Sequence, residues 1–420
     1  MRHSMRGTRL VVFLTVFIDL IGFGMVMPLL PLYGERFGPS PLMLGLLLSS
    51  FSICQFVAAP ILGRLSDRIG RRPVLIASLA GSAIGYAILA AAQSLPLLFV
   101  ARIIDGFSGG NISTAQAVIA DTTAPGDRAK GMGLIGMAFG LGFVLGPFLG
   151  GILATQHESL PSLFAALLSL IAMTLAIVRL PETRPVAARA ASQSREQSPA
   201  QSPARSPARQ PAHSPAHRHR SLAALAHALA RPRLGIVLAA LFLWTFAFSN
   251  FEATFSQFLH AQHGFTPARA SWLFAYAGLI AAAVQGAFVG PLAGRFSERR
   301  LAAIGGFVAA AGLVVIPHVA PAAPLFCGLA LLAGGIGLLS PSVSALASRL
   351  AAADEQGGVL GIAQSFSSLA RIAGPIAGEA LYGGAGPAAP FVVGGVILAM
   401  VGGVAVARFP GFAKQGDETA

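Results

Sequence analysis

Apolar positions in this chain recur in runs long enough to cross a bilayer, separated by short polar connections. The runs fall at about 10–32, 43–63, 73–93, 96–120, 129–154 and 160–180, and, after a gap, at 234–259, 269–294, 299–319, 323–350, 357–382 and 388–408. Each reaches the roughly 20 residues that a helix needs to span hydrocarbon. The pattern predicts an all-α membrane protein with twelve transmembrane helices in two six-helix bundles, residues 1–180 and 234–408. Residues 1–9 are basic, and the run that follows is too long for the apolar core of a signal peptide, so it reads as the first span.

The connections carry an asymmetry. With the N-terminus inside, the inside segments hold Arg2, Arg6, Arg9, Arg64, Arg68, Arg71, Arg72, Arg128, Lys130, Arg295, Arg299, Arg300, Arg408 and Lys414, whereas the outside loops keep Arg36 and Arg269. Such a bias predicts that both termini are cytoplasmic. The gap at 181–233 contains "SPAQSPARSPARQPAHSPAH", in which repeated Pro blocks helix and few large apolar residues can be buried. It predicts a disordered cytoplasmic tether, and residues 409–420 a cytoplasmic tail. His213, His217 and His219 lack acidic or cysteine companions, so the tether is not expected to bind metal. In "SLAALAHALA" (221–230), Leu222, Leu225 and Leu229 share one helical face suited to the inner leaflet.

Composition sharpens this picture. The chain is 55% hydrophobic and 11% charged, with a mean hydropathy of +0.71, too apolar for a soluble core of this size. The net charge of +13 is spread between apolar runs and in one linker, which argues against a nucleic-acid face. Cys54 and Cys327 fall in separate spans and predict no disulfide.

The two halves resemble each other. "GRLSDRIGRR" (63–72) matches "GPLAGRFSER" (290–299) at an offset of 227, and "LGPFLGG" (145–151) matches "AGPIAGE" (373–379) at 228. Two motifs at nearly one offset indicate duplication, and parallel six-span repeats with a site at their interface are a transporter architecture.

Four segments, in order and on the expected spans, resemble motifs of the major facilitator superfamily and its twelve-span drug:proton antiporters. "DLIGFGMVMPLLP" (19–31) resembles the first-span motif, "GRLSDRIGRR" the loop between spans 2 and 3, "ARIIDGFSGG" (101–110) the fourth-span motif, and "GFVLGPFLGG" (142–151) the fifth-span antiporter pattern. "IADTTAPGDRAKGMGLIGMAFGLG" and "DEQGGVLGIAQSFSSLARIAGP" are similar to tetracycline-efflux proteins. Those pumps carry acids in spans 3 and 9 and a histidine in span 8. Here these spans carry none, so the resemblance implies fold and antiport class and leaves the substrate open.

In the loop motif, Gly63 and Gly70 permit tight packing and turning, Arg68, Arg71 and Arg72 hold the loop inside, and the resemblance implies that Asp67 closes the inner side against a second-half helix N-terminus. Gly294 stands at the matching position of the second copy. Gly142, Gly146, Pro147, Gly150 and Gly151 predict a packed, bendable seam on which the halves rock, repeated by Gly374, Pro375 and Gly378. A charge in hydrocarbon costs about 2.5–3.5 kcal/mol on insertion scales, so buried charges face a cavity or a partner. Asp19, Asp105 and Glu252 are the candidate proton carriers, with Arg102 and Arg371 as charge partners; Arg102 and Asp105, three apart, share a helical face. Glu379 lies near an outer end, where water is expected to reach it.

Gln55, Asn111, Gln116, Asn250, Gln257, Gln285 and Gln364 are candidate substrate contacts, with Trp244, Phe248, Phe251 and Phe255 as apolar surface nearby. Each polar residue has the alternative of bridging helices. The chain lacks a phosphate-binding G-x-x-x-x-G-K-[ST] loop and any clustered nucleophile, base or metal ligands, so neither ATP coupling nor catalysis is expected. The expected activity is proton-coupled efflux of a small amphiphilic compound by a monomer in the bacterial inner membrane. Proton-coupled uptake, or export of a native metabolite, is the alternative; a membrane sensor or enzyme is the less favoured reading of a different class. No cofactor is expected, and the partners are lipid, protons and a small molecule.

Overall fold

The computed structural model describes residues 2–123, 128–183, 231–318, 322–350 and 356–410. The tether, its His residues, the 221–230 face and the end of the tail lie largely outside these residues. Helices occupy all twelve expected positions: span 1 Arg2–Val26, span 2 Pro41–Ile69, span 3 Arg71–Ala90, span 4 Leu95–Ser108 with Asn111–Asp121, span 5 Arg128–Ala154 and span 6 Leu160–Arg179. The second set is span 7 Pro232–His263, span 8 Pro267–Ala283 continuing to Val289–Arg295, span 9 Glu298–Val315, span 10 Ala322–Arg349, span 11 Gln356–Ala385 and span 12 Ala389–Arg408. Among the described residues, nine helices are long and apolar enough, by length and composition, to cross a membrane.

Local chemistry sets the boundaries. Ser40, Thr266 and Ser297 cap spans 2, 8 and 9 by accepting from the amides of Met43, Arg269 and Arg300 at 3.3–3.4 Å. Pro41, Pro161, Pro232, Pro267 and Pro390 sit in first turns, where the missing amide hydrogen costs nothing. Gly70, at φ +114°, makes the sharp turn between spans 2 and 3.

Three expected runs prove interrupted. The first ends at Val26, and a separate short helix, Leu30–Glu35, carries the rest. The fourth breaks at Gly109–Gly110. The eighth contains a π turn at Val284–Phe288, just before Pro291, which has no amide hydrogen to give the preceding turn.

Packing repeats with the period of six spans. Span 1 lies against 5 and 6, span 3 against 4 and 6, and span 2 against 4; correspondingly, span 7 lies against 11 and 12, span 9 against 10 and 12, and span 8 against 10. The most extensive contacts between the halves are crossed, span 2 with span 11 and span 5 with span 8. Leu167, Ile171, Val178, Val396 and Met400 project outward, as a lipid-facing surface requires.

The fifth-span glycines do something other than expected. A Cβ on Gly142 would meet Leu20 Cβ at 2.7 Å, one on Gly146 the backbone of Gly24 at 2.7 Å, and one on Gly150 the Met25 carbonyl at 2.8 Å. The stripe therefore packs span 5 on span 1 within one half; of the set, Gly151 faces across, 3.0 Å from Ser271 Cβ of span 8. Gly374 and Gly378 likewise pack on Ser249 and Asn250 of span 7. Without a hydrophobic drive between helices in lipid, close backbone approach is what holds each pair.

Candidate functional site

The halves meet at the end opposite the arginine-rich loops. There Gly45 of span 2 lies on Ile376 and Glu379 of span 11, Ser49 Oγ donates to the Ile372 carbonyl at 2.7 Å, and Phe148 stacks edge-on against Trp272 at 4.9 Å. Ser256 Oγ of span 7 donates to the Pro28 carbonyl at 2.6 Å. At the arginine-rich end, the second part of span 8 is exposed, and Gly286 and Gly290 have nothing within 4 Å among the described residues. Among the described residues, the halves are thus closed together at one end and splayed at the other.

Inside the splayed end, spans 2, 4 and 11 enclose about 760 Å³ of empty space, counting the solvent at its mouth. Gln55, Gln116 and Gln364, three of the expected substrate contacts, line it together with Phe56, Ser113 and Ser368. Gln55 Nε2 donates to the Gly109 carbonyl at 2.9 Å, which the break in span 4 frees. The serines carry no sequence signal of their own, because a serine in a span usually hydrogen-bonds back to its own helix, as Ser368 does to Gln364 at 3.0 Å.

The other candidates separate. Asn250 is fully buried and donates to the Pro390 carbonyl at 3.0 Å, tying span 7 to span 12, so it is structural. Gln257 sits at the closed end, lining a cavity with Glu379. Gln285 is exposed on the π turn. Phe251 and Phe255, 4.7 Å apart, pack with Phe258, Phe274 and Phe391 in the core of the second half, so they offer no ligand surface. Trp244 and Phe248 pack against the same core.

Two charge clusters flank the cavity, one in each half. In the first, Arg102 Nη1 bonds Asp105 Oδ2 at 2.9 Å, as the three-residue spacing implies. Arg102 is 1% exposed; its Nε and Nη2 have no hydrogen-bond acceptor among the described residues, but its guanidinium lies 4.6 Å from the Phe51 ring centre and 6.0 Å from that of Phe23. Asp19 accepts from Asn111 Nδ2 at 3.3 Å, and its Oδ1 lacks a partner among the described residues. Asn111, expected to touch substrate, instead orients this acid. In the second half, Glu252 of span 7 is buried, and Arg371 of span 11, half-buried, is the cation nearest to it in charge. Arg371 Nη2 also reaches Ser368 Oγ, on the cavity wall, at 3.4 Å.

The loop between spans 2 and 3 is more than a topological anchor. Arg71 is buried and pairs with Asp67 at 2.8 Å and Asp121 at 3.2 Å while donating to Ser66 Oγ at 2.7 Å. Glu182 accepts from the amides of Arg71 and Arg72 at 2.9 and 3.2 Å, an anion on the N-terminus of span 3. Asp67 pairs here within its own half; residues 351–355, before span 11, lie outside the described set.

The sequence profile described as Major Facilitator Superfamily matches residues 12–287 and 237–414. A class G tetracycline resistance protein of Vibrio anguillarum is 32% identical over 382 residues, covering 90% of this chain and 91% of its own. Major facilitator superfamily domain-containing protein 10 of Homo sapiens is 33% identical over 419 residues, 91% and 88% of the two chains. Among solved structures, the human organic anion transporter MFSD10 superposes with a TM-score of 0.70 at 28% identity, covering 96% of this chain and 99% of its own. The nucleoside transporter NupG superposes at 0.71 with 14% identity, which speaks to the fold alone.

Proposed function

The chain belongs to the major facilitator superfamily, as a multi-pass membrane transporter, and from that premise we propose that it exports a small amphiphilic compound in exchange for protons. The observation that carries this reading is the pair of carboxyl–cation clusters on either side of a one-sided cavity whose apolar lining is interrupted by three glutamines. Two states that expose the cavity to opposite sides, with a ligand binding each differently, are sufficient for coupled transport. A proton on Asp19, Asp105 or Glu252 neutralises one member of a cluster and changes which helix contacts are favoured. Substrate entering against Gln55, Gln116 and Gln364 reaches Ser368 and, through it, Arg371, so binding and protonation meet at neighbouring groups. The arginine-rich end is assigned to the cytoplasm of a bacterial inner membrane, which makes the conformation described here open to the inside.

The test is transport in inverted vesicles and proteoliposomes of both orientations. Asp19→Asn is expected to abolish accumulation driven by a proton gradient while leaving substrate exchange at equal concentrations. Undiminished gradient-driven transport by a protein lacking Asp19, Asp105 and Glu252 would overturn the proposal. Proton-coupled uptake predicts the opposite vesicle orientation. Export of an organic anion is favoured by Arg371 beside the cavity wall and by the named substrate class of the MFSD10 structure; it is read out by competition between anionic and cationic drugs.

A further inference from the structure

We propose a second proton-binding site at the closed end, in which Glu379 takes a proton from the outer aqueous phase whenever that end shuts. This inference rests on the reading of the chain as an alternating-access transporter, but not on which central acid couples transport.

The site is a cavity between the halves, about 540 Å³ including its open mouth, lined by Glu35, Pro41, Leu44, Gln257, Glu379 and Tyr382 among others. Glu379 was expected to be wetted at a helix end. Instead it is 2% exposed. Its burial is created by closure: Gly45 of the opposite half packs against it, a Cβ on that glycine falling 3.3 Å from Glu379 Cβ. Separating spans 2 and 11 returns the carboxyl to water.

In the closed state Gln257 and Glu379 line one cavity, and Gln257 Oε1 and Glu379 Oε1 are both buried acceptors without a donor among the described residues. A primary amide and a protonated carboxyl are complementary: each gives one hydrogen and accepts one. A single proton on Glu379 supplies the missing donor, and the O–H bond forms with no other reactant. A carboxylate left there would be a buried charge without a cation partner.

The charged and titratable neighbours do not remove this need. Span 11 carries Arg371 two turns deeper, engaged with Glu252, and Tyr382 one turn outward. Span 7 contributes His260 and His263 beyond Gln257. The segment after span 1 contributes Glu35, a further negative charge acting on Glu379, and Arg36, which pairs with Glu158. Spans 2 and 12 bring no titratable group to this depth, and span 10 brings only Cys327, an exposed thiol.

Spin labels at Gln156→Cys and Gln262→Cys, exposed positions on opposite halves at this end, report its opening in lipid nanodiscs, with Cys54→Ser and Cys327→Ser as background. The expected result is a short distance at low pH that gives way to a longer one as pH rises from about 5 to about 9, a window that a buried carboxyl can reach. Glu379→Gln is expected to lose this response and keep the short distance throughout. Glu35→Gln, which leaves Glu379 and Gln257 in place, is expected to retain the response, and Gln257→Leu, which removes the acceptor for the added proton, to weaken it; these carry the test should Glu379→Gln not assemble. An unaltered response in Glu379→Gln or Gln257→Leu, no response in the wild type, loss of the response in Glu35→Gln, or closure that follows sodium or calcium at fixed pH would overturn the proposal. Asp19→Asn, which disables transport in the reading above, is expected to keep the outer pH response, so the two ideas fail separately.

Discussion

Replacing Gly146 by alanine adds one methyl group at the tightest point of the span 1–span 5 contact. The new Cβ would lie 2.7 Å from both Cα and C of Gly24 and 2.8 Å from the Ile21 carbonyl oxygen. Ordinary contact begins near 3.4 Å, so the helices must part by at least 0.7 Å, the difference of 3.4 and 2.7. All three obstacles are backbone, and no side-chain rotation relieves them. The same shift opens the flanking contacts of Gly142 with Leu20 and Gly150 with Met25, and a gap of about 0.5–1 Å forfeits a quarter to a half of each dispersion well. Overpacking of this kind costs about 1–3 kcal/mol. Gly403→Ala in span 12 is the control: nothing lies within 4 Å of its Cβ position, and alanine favours helix over glycine by up to about 1 kcal/mol. Thermal denaturation of the detergent-solubilised protein, followed by size-exclusion fluorescence, should place Gly146→Ala below wild type and Gly403→Ala at or above it. If the two variants melt together, the glycine stripe is not the backbone contact described, and the reasoning fails.

Other perturbations follow from the same geometry. Arg102→Leu leaves Asp105 buried without its partner and should cost about 3–5 kcal/mol, while the double variant Arg102→Leu, Asp105→Leu should recover most of that stability; equal melting of single and double variants would refute the pairing. Gly151→Leu pushes against Ser271 and the Ala268 carbonyl across the halves, so it should raise labelling of engineered cysteines at the closed end without lowering the melting temperature as Gly146→Ala does. Arg71→Ala strips Asp67, Asp121 and Ser66 of a shared partner and should destabilise the first half more than Arg68→Ala, measured by protease resistance of the two loops.

Span positions were legible in the sequence because hydrocarbon leaves the backbone few alternatives, and duplication was legible because two motifs kept one offset. Which face of a span looks where was not. Asn250 and Gln257 sit two turns apart in span 7, one bridging to span 12 and the other lying at the closed end, and nothing in their sequence surroundings distinguishes them. A helix surrounded by apolar neighbours has no polar stripe to orient it. The fifth-span pattern announced close backbone approach correctly but not its partner: a glycine reports that something is near, and only the packed structure shows that it is span 1 for Gly146 and span 8 for Gly151. Ser368 and Phe51 escaped notice because a serine or phenylalanine in an apolar run is ordinary.

The duplication itself shows which charges the fold does not need. At the repeat offset of 227, Arg102 and Asp105 correspond to Leu329 and Leu332, since 102 + 227 is 329 and 105 + 227 is 332. Both leucines are buried in the core of the second half, in a span that packs against its neighbours as span 4 does. Two leucines thus fill the same scaffold position that holds an ion pair in the first half. A buried ion pair is weak evidence for stability, because well-packed apolar residues commonly do as well or better. The acids break the symmetry too: 19 + 227 is 246, a phenylalanine, whereas Glu252 lies six residues further on, about 9 Å along the helix toward the closed end. A scaffold that repeats while its buried charges do not has placed those charges at different depths in the two halves. Under the proton exchange proposed above, acids staggered in this way serve a transporter as a symmetric set of structural ion pairs would not.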